Sequence, residues 1–404
     1  MKYLIILGDG MADEPIASLD NKTPLQAANK PNIDRLAAMG NSGILDTIPA
    51  GFSPGSEIAN LSVLGYNLEK VYEGRGVLEA ASMGVEITDN EMAMRCNLIC
   101  IENGKIKNHS AGHISNEEAE ELIDFLQKNL GDENVSFYPG VSYRHLLKLK
   151  NGNKDLKCTP PHDVPGTPFS SVMIQSENLE AKPTADFLND LILKSQILLE
   201  NHPVNLKREA HGKDKANSIW PWSPGYKPKM DSFIETNGLK NASVISAVDL
   251  IRGIGVYAGL KVIHVEGATG LYTTNYEGKA LAALSALKED DFVFLHIEAS
   301  DEAGHEGDVE LKIKTIEYLD SRVVKTVLDE MLTWDEPVTI ALLPDHPTPC
   351  EKRTHTNSPI PFVIYRTGEK PDSVMIYDEF SAKKGKYGLL KGDEFIKAFF
   401  QKKF

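Results

Sequence analysis

Asp9, Asp301, His305, Asp345, His346 and His355 are the side chains in this 404-residue chain whose types and grouping suit divalent-metal chemistry. Carboxylate oxygens and imidazole nitrogens are the donors that Zn²⁺ and Mn²⁺ accept. Singly, each has an ordinary explanation, because Asp at a strand end often caps a helix and a lone His is usually a satisfied polar residue. Jointly, three carboxylates and three imidazoles are enough for two ions. The run Asp301-Glu302-Ala303-Gly304-His305 adds a spacing argument, since a residue and its fourth successor present their side chains to one ion across a helical turn.

A two-metal site that moves a group needs an in-line nucleophile, and Ser56 in Gly51-Phe52-Ser53-Pro54-Gly55-Ser56-Glu57-Ile58-Ala59-Asn60 is the candidate. Gly51 and Gly55 let the backbone turn sharply. Ser56 then stands at the start of a helix expected over Glu57 to Leu64, where amides and dipole favour an arriving phosphate. The same residue also reads as a simple N-cap with an acidic first turn. Local sequence leaves both readings open.

Positioning these side chains requires strands that end together. Tyr3–Leu7, Val244–Ser246, Lys261–Val265, Asp291–Ile297 and Val338–Leu343 are short β-branched or apolar runs, alternating with helical patterns at Ala247–Ala258, Glu277–Ala286 and Glu310–Thr333. That alternation predicts a mostly parallel sheet with helices on both faces. Asp9, Asp301 and Asp345 each follow such a strand, at the edge where ligands bind in open α/β sheets. A further helix is expected at Asn32–Met39, started by Pro31 and stopped by Gly40.

From Met92 the texture changes to short strands (Ala93–Ile101, Val135–Tyr138, His145–Leu149) around one amphipathic helix, Ser115–Asn129. Residues 92–183 are therefore expected as a smaller inserted α+β domain leaving through the Pro- and Gly-rich stretch Cys158–Pro168. Residues 1–91 and 184–404, opening with a helix at Thr184–Glu200, form the discontinuous main domain.

The formal net charge of −15 argues against nucleic acid and anionic membranes as partners. Tyr3–Leu7 is too short for a signal peptide, and no run approaches the ~20 apolar residues of a membrane span. Cys96, Cys100, Cys158 and Cys350 lack a CxxC pair, which fits reduced thiols in a cytoplasmic protein.

Read in order, Gly8-Asp9-Gly10-Met11-Ala12-Asp13, Pro54-Gly55-Ser56-Glu57, Gly74-Arg75-Gly76, Thr269-Gly270-Leu271-Tyr272-Thr273-Thr274-Asn275, Asp301 to His305 and Asp345-His346 resemble the short, archaeal-type branch of the cofactor-independent phosphoglycerate mutases, within the alkaline phosphatase superfamily. The resemblance runs along nearly the whole chain and implies an alkaline phosphatase-like fold. It implies two divalent ions (Mn²⁺, Zn²⁺ or Mg²⁺), no 2,3-bisphosphoglycerate, and interconversion of 3- and 2-phosphoglycerate in glycolysis and gluconeogenesis. Carried over residue by residue, it makes Ser56 the nucleophile that becomes phosphoserine. Asp9, Ser56, Asp345 and His346 hold one metal, and Asp301, His305 and His355 the other. The inserted domain closes over the substrate.

Two places depart from the family pattern. Gly112-His113-Ile114 stands where Gly-Arg-Ile is expected, and Ile219-Trp220-Pro221-Trp222-Ser223-Pro224-Gly225 lacks an arginine before its glycine. Fewer guanidinium groups and more aromatic surface imply a less anionic acceptor, as in homoserine kinase-like relatives that take phosphate from a nucleotide, or a plain metal-dependent phosphatase. No Walker-type or kinase-type glycine loop is present, so a nucleotide would bind through the metals. The partner is then a small phosphorylated metabolite or a small hydroxyl acceptor. His109, His113, Arg144, His162, Asp163, Arg208, Lys215 and Trp222 are the candidate substrate-binding residues, and His109 and His113 have the spacing of a second metal pair.

Overall fold

The computed structural model describes residues 1–401. The chain forms two compact units, Met1–Tyr72 together with the chain from Lys229 onward, and Glu73–Pro228.

The first unit is built on an eight-stranded sheet in the order Lys261–Ile263, Ala242–Ile245, Phe292–Ile297, Lys2–Gly8, Val338–Leu343, Ile360–Arg366, Asn41–Asp46, Gly388–Lys391. Ile360–Arg366 runs against both of its neighbours, and every other pairing is parallel. The central strands are continuous apolar runs because both faces are covered. Leu4, Ile5, Ile6 and Leu7 are all fully buried. Leu4, Ile6, Val293, Leu295, Ile340 and Leu342 share a core with the helices Pro31–Met39 and Tyr276–Ala286 and with the rod that starts at Val309. On the opposite face, Phe292 packs edge-on against Phe399 and Gly255 of the helix Asp249–Tyr257 lies against Val244.

Register decides where the chemistry sits. Ile5 lies opposite both Phe294 and Ala341, and Leu7 opposite His296 and Leu343, so the three strands end level with one another. The rod passes from Val309–Tyr318 through one π-helical segment, Leu319–Val324, into Lys325–Met331. The π segment leaves Asp320 buried where it accepts from the amides of Asn32 (2.8 Å) and Ile33 (2.7 Å). It thereby caps Pro31–Met39, whose own flanking Lys30 supplies no side-chain bond.

The second unit is wider on both sides than the 92–183 expected from sequence. Ser218–Tyr226 pairs antiparallel with Glu91–Glu102, placing Pro221 opposite Cys96 and Trp220 opposite Asn97. Helix Lys182–Leu199 puts Leu188, Leu191 and Ile192 into the same core as Leu122 and Ile123 of Asn116–Leu130. The Pro- and Gly-rich stretch is no exit: Gly166 donates to the Ile106 carbonyl and Ile106 to that of Thr167, so it lies against a strand of the same unit. Backbone pairing, not composition, sets these limits.

Helix Arg75–Ser82 also belongs to this unit, and Gly76 is what lets it approach. A Cβ there would lie 2.7 Å from the Ser223 carbonyl oxygen, 2.8 Å from Met94 Cα and 2.9 Å from Arg95 N. Overpacking of this kind costs about 1–3 kcal/mol. Gly76→Ala is therefore expected to lower the calorimetric melting transition of the protein, and an unchanged thermogram would mean that the helix need not lie this close.

Candidate metal centre and nucleophile

Asp9 follows the strand Lys2–Gly8 and is 1% exposed. His296 Nε2 lies 3.0 Å from its Oδ2, while its Oδ1 has no hydrogen-bond partner. Gly10, at φ +60°, turns the chain so tightly that a Cβ would stand 2.6 Å from Asp301 Cα. Its amide donates to Asp345 Oδ1 (3.1 Å), as does that of His346 (2.9 Å). Asn60 Nδ2, one helical turn after Ser56, donates to Asp345 Oδ2 (2.9 Å).

Asp301 and His305 lie on helix Ala299–Glu306, which starts directly after Phe292–Ile297. Asp301 Oδ2 is 3.3 Å from His305 Nε2, and its Oδ1 is 3.3 Å from His355 Nε2. The structure thus brings together every residue expected at the metals. Asp9, Asp345 and His346 offer ligand atoms within 4.8 Å of one another, and so do Asp301, His346 and His355. A third such group, Asp9, Glu298 and Asp301, adds a carboxylate that the sequence reading had passed over.

Ser56 is the first residue of helix Ser56–Val63, flanked by Gly55 in extended backbone (φ −176°). Its side chain caps nothing; Oγ instead lies 3.2 Å from His346 Nε2. The N-cap reading fails because Gly55 already occupies the capping position.

The electrostatics of the site indicate the kind of group it suits. Burial and the neighbouring carboxylates of Asp345, Asp301 and Glu298 push Asp9 well above the usual carboxylate range. Burial, with Asp301 beside it, raises Glu298 to about 8. Asp301 goes the other way, since hydrogen bonds from His305 and His355 outweigh the effect of its burial. Bound to Asp301, His305 is raised to about 9. Burial lowers His346, and lowers His296 to about 3. Oxygen and nitrogen donors, an orphaned Asp9 Oδ1 and mutually repelling buried carboxylates fit divalent cations.

Lys279, also missed from sequence, is fully buried near Glu298 and is lowered to about 8 by burial. Its signal was the i, i+4 step from Asn275 at the end of the glycine- and threonine-rich loop. Asn60 could have been found by the same step from Ser56. His296 and Glu298 stand two apart, polar residues closing an apolar strand, a period-two clue to one shared face.

In the second unit the substrate candidates separate. Arg208 is 2% exposed and spent internally: it pairs with Glu118 and donates to the carbonyls of Asp214 and Ala111. Lys215 pairs with Glu200 and Glu209. Trp222 is buried, its indole N–H donating to Asn97 Oδ1 (3.0 Å) and its ring 4.4 Å from the Arg95 guanidinium. These three therefore leave the candidate set, because their polar groups already have partners inside the unit. His113 is exposed at φ +52°, and among the described residues no metal-capable group includes it or His109.

What remains is compact. His162 meets His109 at 6.0 Å and Trp222 at 5.4 Å between ring centroids, and Arg144 lies 5.7 Å from the Tyr143 ring. Asp163 sits exposed with Oδ1 3.5 Å from His162 Nε2. Burial lowers His162, and the positive charges of Arg95 and Arg75 lower it further. Arg75 and Arg144 also act on Arg95, which pairs with Glu79 at 3.1 Å. Arg95 was missed, and Arg75 was read only as part of the Gly74-Arg75-Gly76 motif, because their neighbours come from segments far apart in sequence.

A family profile described as 2,3-bisphosphoglycerate-independent phosphoglycerate mutase matches residues 37–205. The enzyme of that name from Methanosarcina mazei is 53% identical over 98% of each chain, and a probable one from Geobacter sulfurreducens is 48% identical over 98% of each. Among solved structures, a protein from Pyrococcus horikoshii superposes with a TM-score of 0.85 at 32% identity, covering 100% of this chain and 98% of its own. The cofactor-independent phosphoglycerate mutase from Thermoplasma acidophilum gives 0.70 at 28%, covering 99% of each. The chain belongs to the 2,3-bisphosphoglycerate-independent phosphoglycerate mutase family.

The hydrogen bond to Asp301 raises His305 to about 9, so an ion held by His305 would have to displace its proton, because only the neutral imidazole is a ligand. Mn²⁺ affinity is therefore expected to rise about tenfold per pH unit from pH 6.5 to 8.5, with about one proton released per His305-bound ion. Calorimetric titration in buffers of different ionisation enthalpy measures both, and a flat profile would remove His305 from the ligand set.

Proposed function

We propose that this chain interconverts 3-phosphoglycerate and 2-phosphoglycerate by passing the phosphoryl group through Ser56. The observation that carries it is the Ser56 hydroxyl at the head of a helix, 3.2 Å from His346 Nε2 and not engaged in capping, in a chain of this family. Asp9, Ser56, Asp345 and His346 would hold one divalent ion, and Asp301, His305 and His355 the other, with Mn²⁺, Zn²⁺ and Mg²⁺ all suited to the donor set. When bound, such ions lower the pKa of a serine hydroxyl and neutralise charge on phosphoryl oxygens.

The protein's own groups do the rest. Ser56 Oγ loses its proton and bonds to phosphorus as the bond to the C3 oxygen of glycerate breaks; that oxygen takes up a proton. The 2-hydroxyl of the retained glycerate then loses its proton and bonds to phosphorus as the Ser56 Oγ–P bond breaks, and Ser56 Oγ takes up a proton. Helix amides behind Ser56 favour the anion. His296, neutral at pH 7, is assigned as donating Nε2–H to Asp9 while its Nδ1 accepts from Ser246 (3.2 Å), which fixes the Asp9 carboxylate. Arg75, Arg95 and Arg144 form a cluster of the kind that recognises carboxylate and phosphate groups. Water must be kept from the phosphoserine, otherwise the chain would act as a phosphatase.

The case for a less anionic acceptor rested on two missing guanidinium groups and the aromatic surface of Trp220 and Trp222; both tryptophans are buried, their indole N–H groups donating to the Thr159 carbonyl and to Asn97 Oδ1. We place the reaction in the cytoplasm, a reducing compartment that fits four unpaired cysteines; no helix among the described residues is long and apolar enough to cross a membrane.

Phosphorus NMR of the Mn²⁺-loaded protein with 3-phosphoglycerate is expected to show 2-phosphoglycerate, with Ser56→Ala slower by on the order of 10⁴-fold or more. O-phosphohomoserine formed from ATP and homoserine, with no 2-phosphoglycerate, would overturn the mutase reading and keep the nucleophile. Release of inorganic phosphate alone would make the protein a phosphatase.

A further inference from the structure

Lys312 lies on helix Val309–Tyr318 and is fully buried, and its ammonium bonds to none of the residues expected to hold metal. Its ammonium has three N–H bonds and three acceptors: Asp13 Oδ2 (2.9 Å), the Ala12 carbonyl (3.1 Å) and the Thr348 carbonyl (2.8 Å). The first two belong to the loop that begins at Asp9. The third belongs to the loop that begins at Asp345.

Thr348 is where these loops meet the Asp301 helix. Its amide donates to the Ala12 carbonyl (3.2 Å), its hydroxyl donates to Asp301 Oδ1, and the same oxygen lies 3.3 Å from His346 Nδ1. A Cβ on Gly304 would come within 2.4 Å of the Thr348 carbonyl oxygen, so the helix carrying Asp301 and His305 rests directly on this residue. Asp13 Oδ2 also accepts from the Cys350 amide (3.1 Å), which fastens the far end of the second loop.

A fully buried ion pair is weak evidence for stability, since apolar groups of similar volume often replace one at no loss. A pair whose acceptors all come from the two metal-bearing loops has a different use. We propose that Lys312 is a positioning residue that, through Asp13 and Thr348, fixes the spacing between the Asp9–Asp345 donors and the Asp301 donors, and so sets the affinity of the centre for divalent ions. The inference rests on the metal reading above and goes beyond it, because it assigns metal affinity to a residue whose ammonium bonds to none of the expected metal ligands.

The test removes both charges together, so that no lone buried ion is left. Lys312→Met/Asp13→Asn is compared with wild type for melting temperature in chelator and for Mn²⁺ dissociation constants measured by electron paramagnetic resonance of the free ion. The expected result is a cooperative melt near that of wild type with Mn²⁺ bound 10–100-fold more weakly, kcat reduced and the KM for 3-phosphoglycerate within twofold. Mn²⁺ affinity within twofold of wild type overturns the proposal. Should the double variant not fold, Thr348→Val, which keeps the Lys312 tie but loses the hydroxyl on Asp301, decides by the same readout: about tenfold weaker Mn²⁺ binding supports it and unchanged binding overturns it. Wild type that binds Mn²⁺ but converts no 3-phosphoglycerate sinks the mutase reading alone. Wild type that binds no Mn²⁺ overturns both.

Discussion

Three buried carboxylates, Asp9, Asp301 and Asp345, and the half-buried Glu298 converge at one end of three level strands, and the rest of the first unit is organised around that repulsion. Parallel strands starting from a common register bring them there. Burial, with the neighbouring carboxylates adding to it, pushes Asp9 and Glu298 up in pKa, and Asp301 escapes only by engaging two imidazoles. Like charges out of water repel strongly, so such a cluster is held only where the scaffold over-determines it. Gly10 provides close approach, Asn60 and His296 provide donors, and Lys279 provides positive charge beside Glu298.

The centre of this arrangement was legible in the sequence because its causes are local. A strand that ends in Gly8-Asp9, an Asp301–His305 step of four, and Asp345-His346 after an apolar run each declare position by periodicity and spacing. The outer strands Asn41–Asp46, Ile360–Arg366 and Gly388–Lys391 were not anticipated. Asn41-Ser42-Gly43 is polar and small at its start, and Ile360-Pro361 carries the residue least suited to a ladder, so neither shows a clean strand pattern.

The limits of the second unit escaped for a different reason. Ser218–Tyr226 contains two prolines and two tryptophans and reads as loop, yet it lies along Glu91–Glu102, more than a hundred residues earlier. Pairing of Arg144–Lys150 with Glu91–Glu102 brings Arg144 to Arg95, and the helix at Arg75 joins them through Ser223, while Arg208, which looked free in the sequence, is consumed by carbonyls of its own unit. Whether a guanidinium is spent or available depends on which backbone oxygens fold back on it, and no local pattern encodes that.

The first strand, finally, sets a timetable for synthesis. Ile5 has to pair with Phe294 on one side and Ala341 on the other, so a ribosome adding about 5–20 residues per second releases the strand's neighbours roughly 15–70 s after the strand itself. The contiguous unit Glu73–Pro228 is complete long before then. The apolar N-terminal segment must stay unpaired through that interval, and on the proposed metal reading, donors contributed by the last quarter of the chain would make metal loading an event that follows their synthesis.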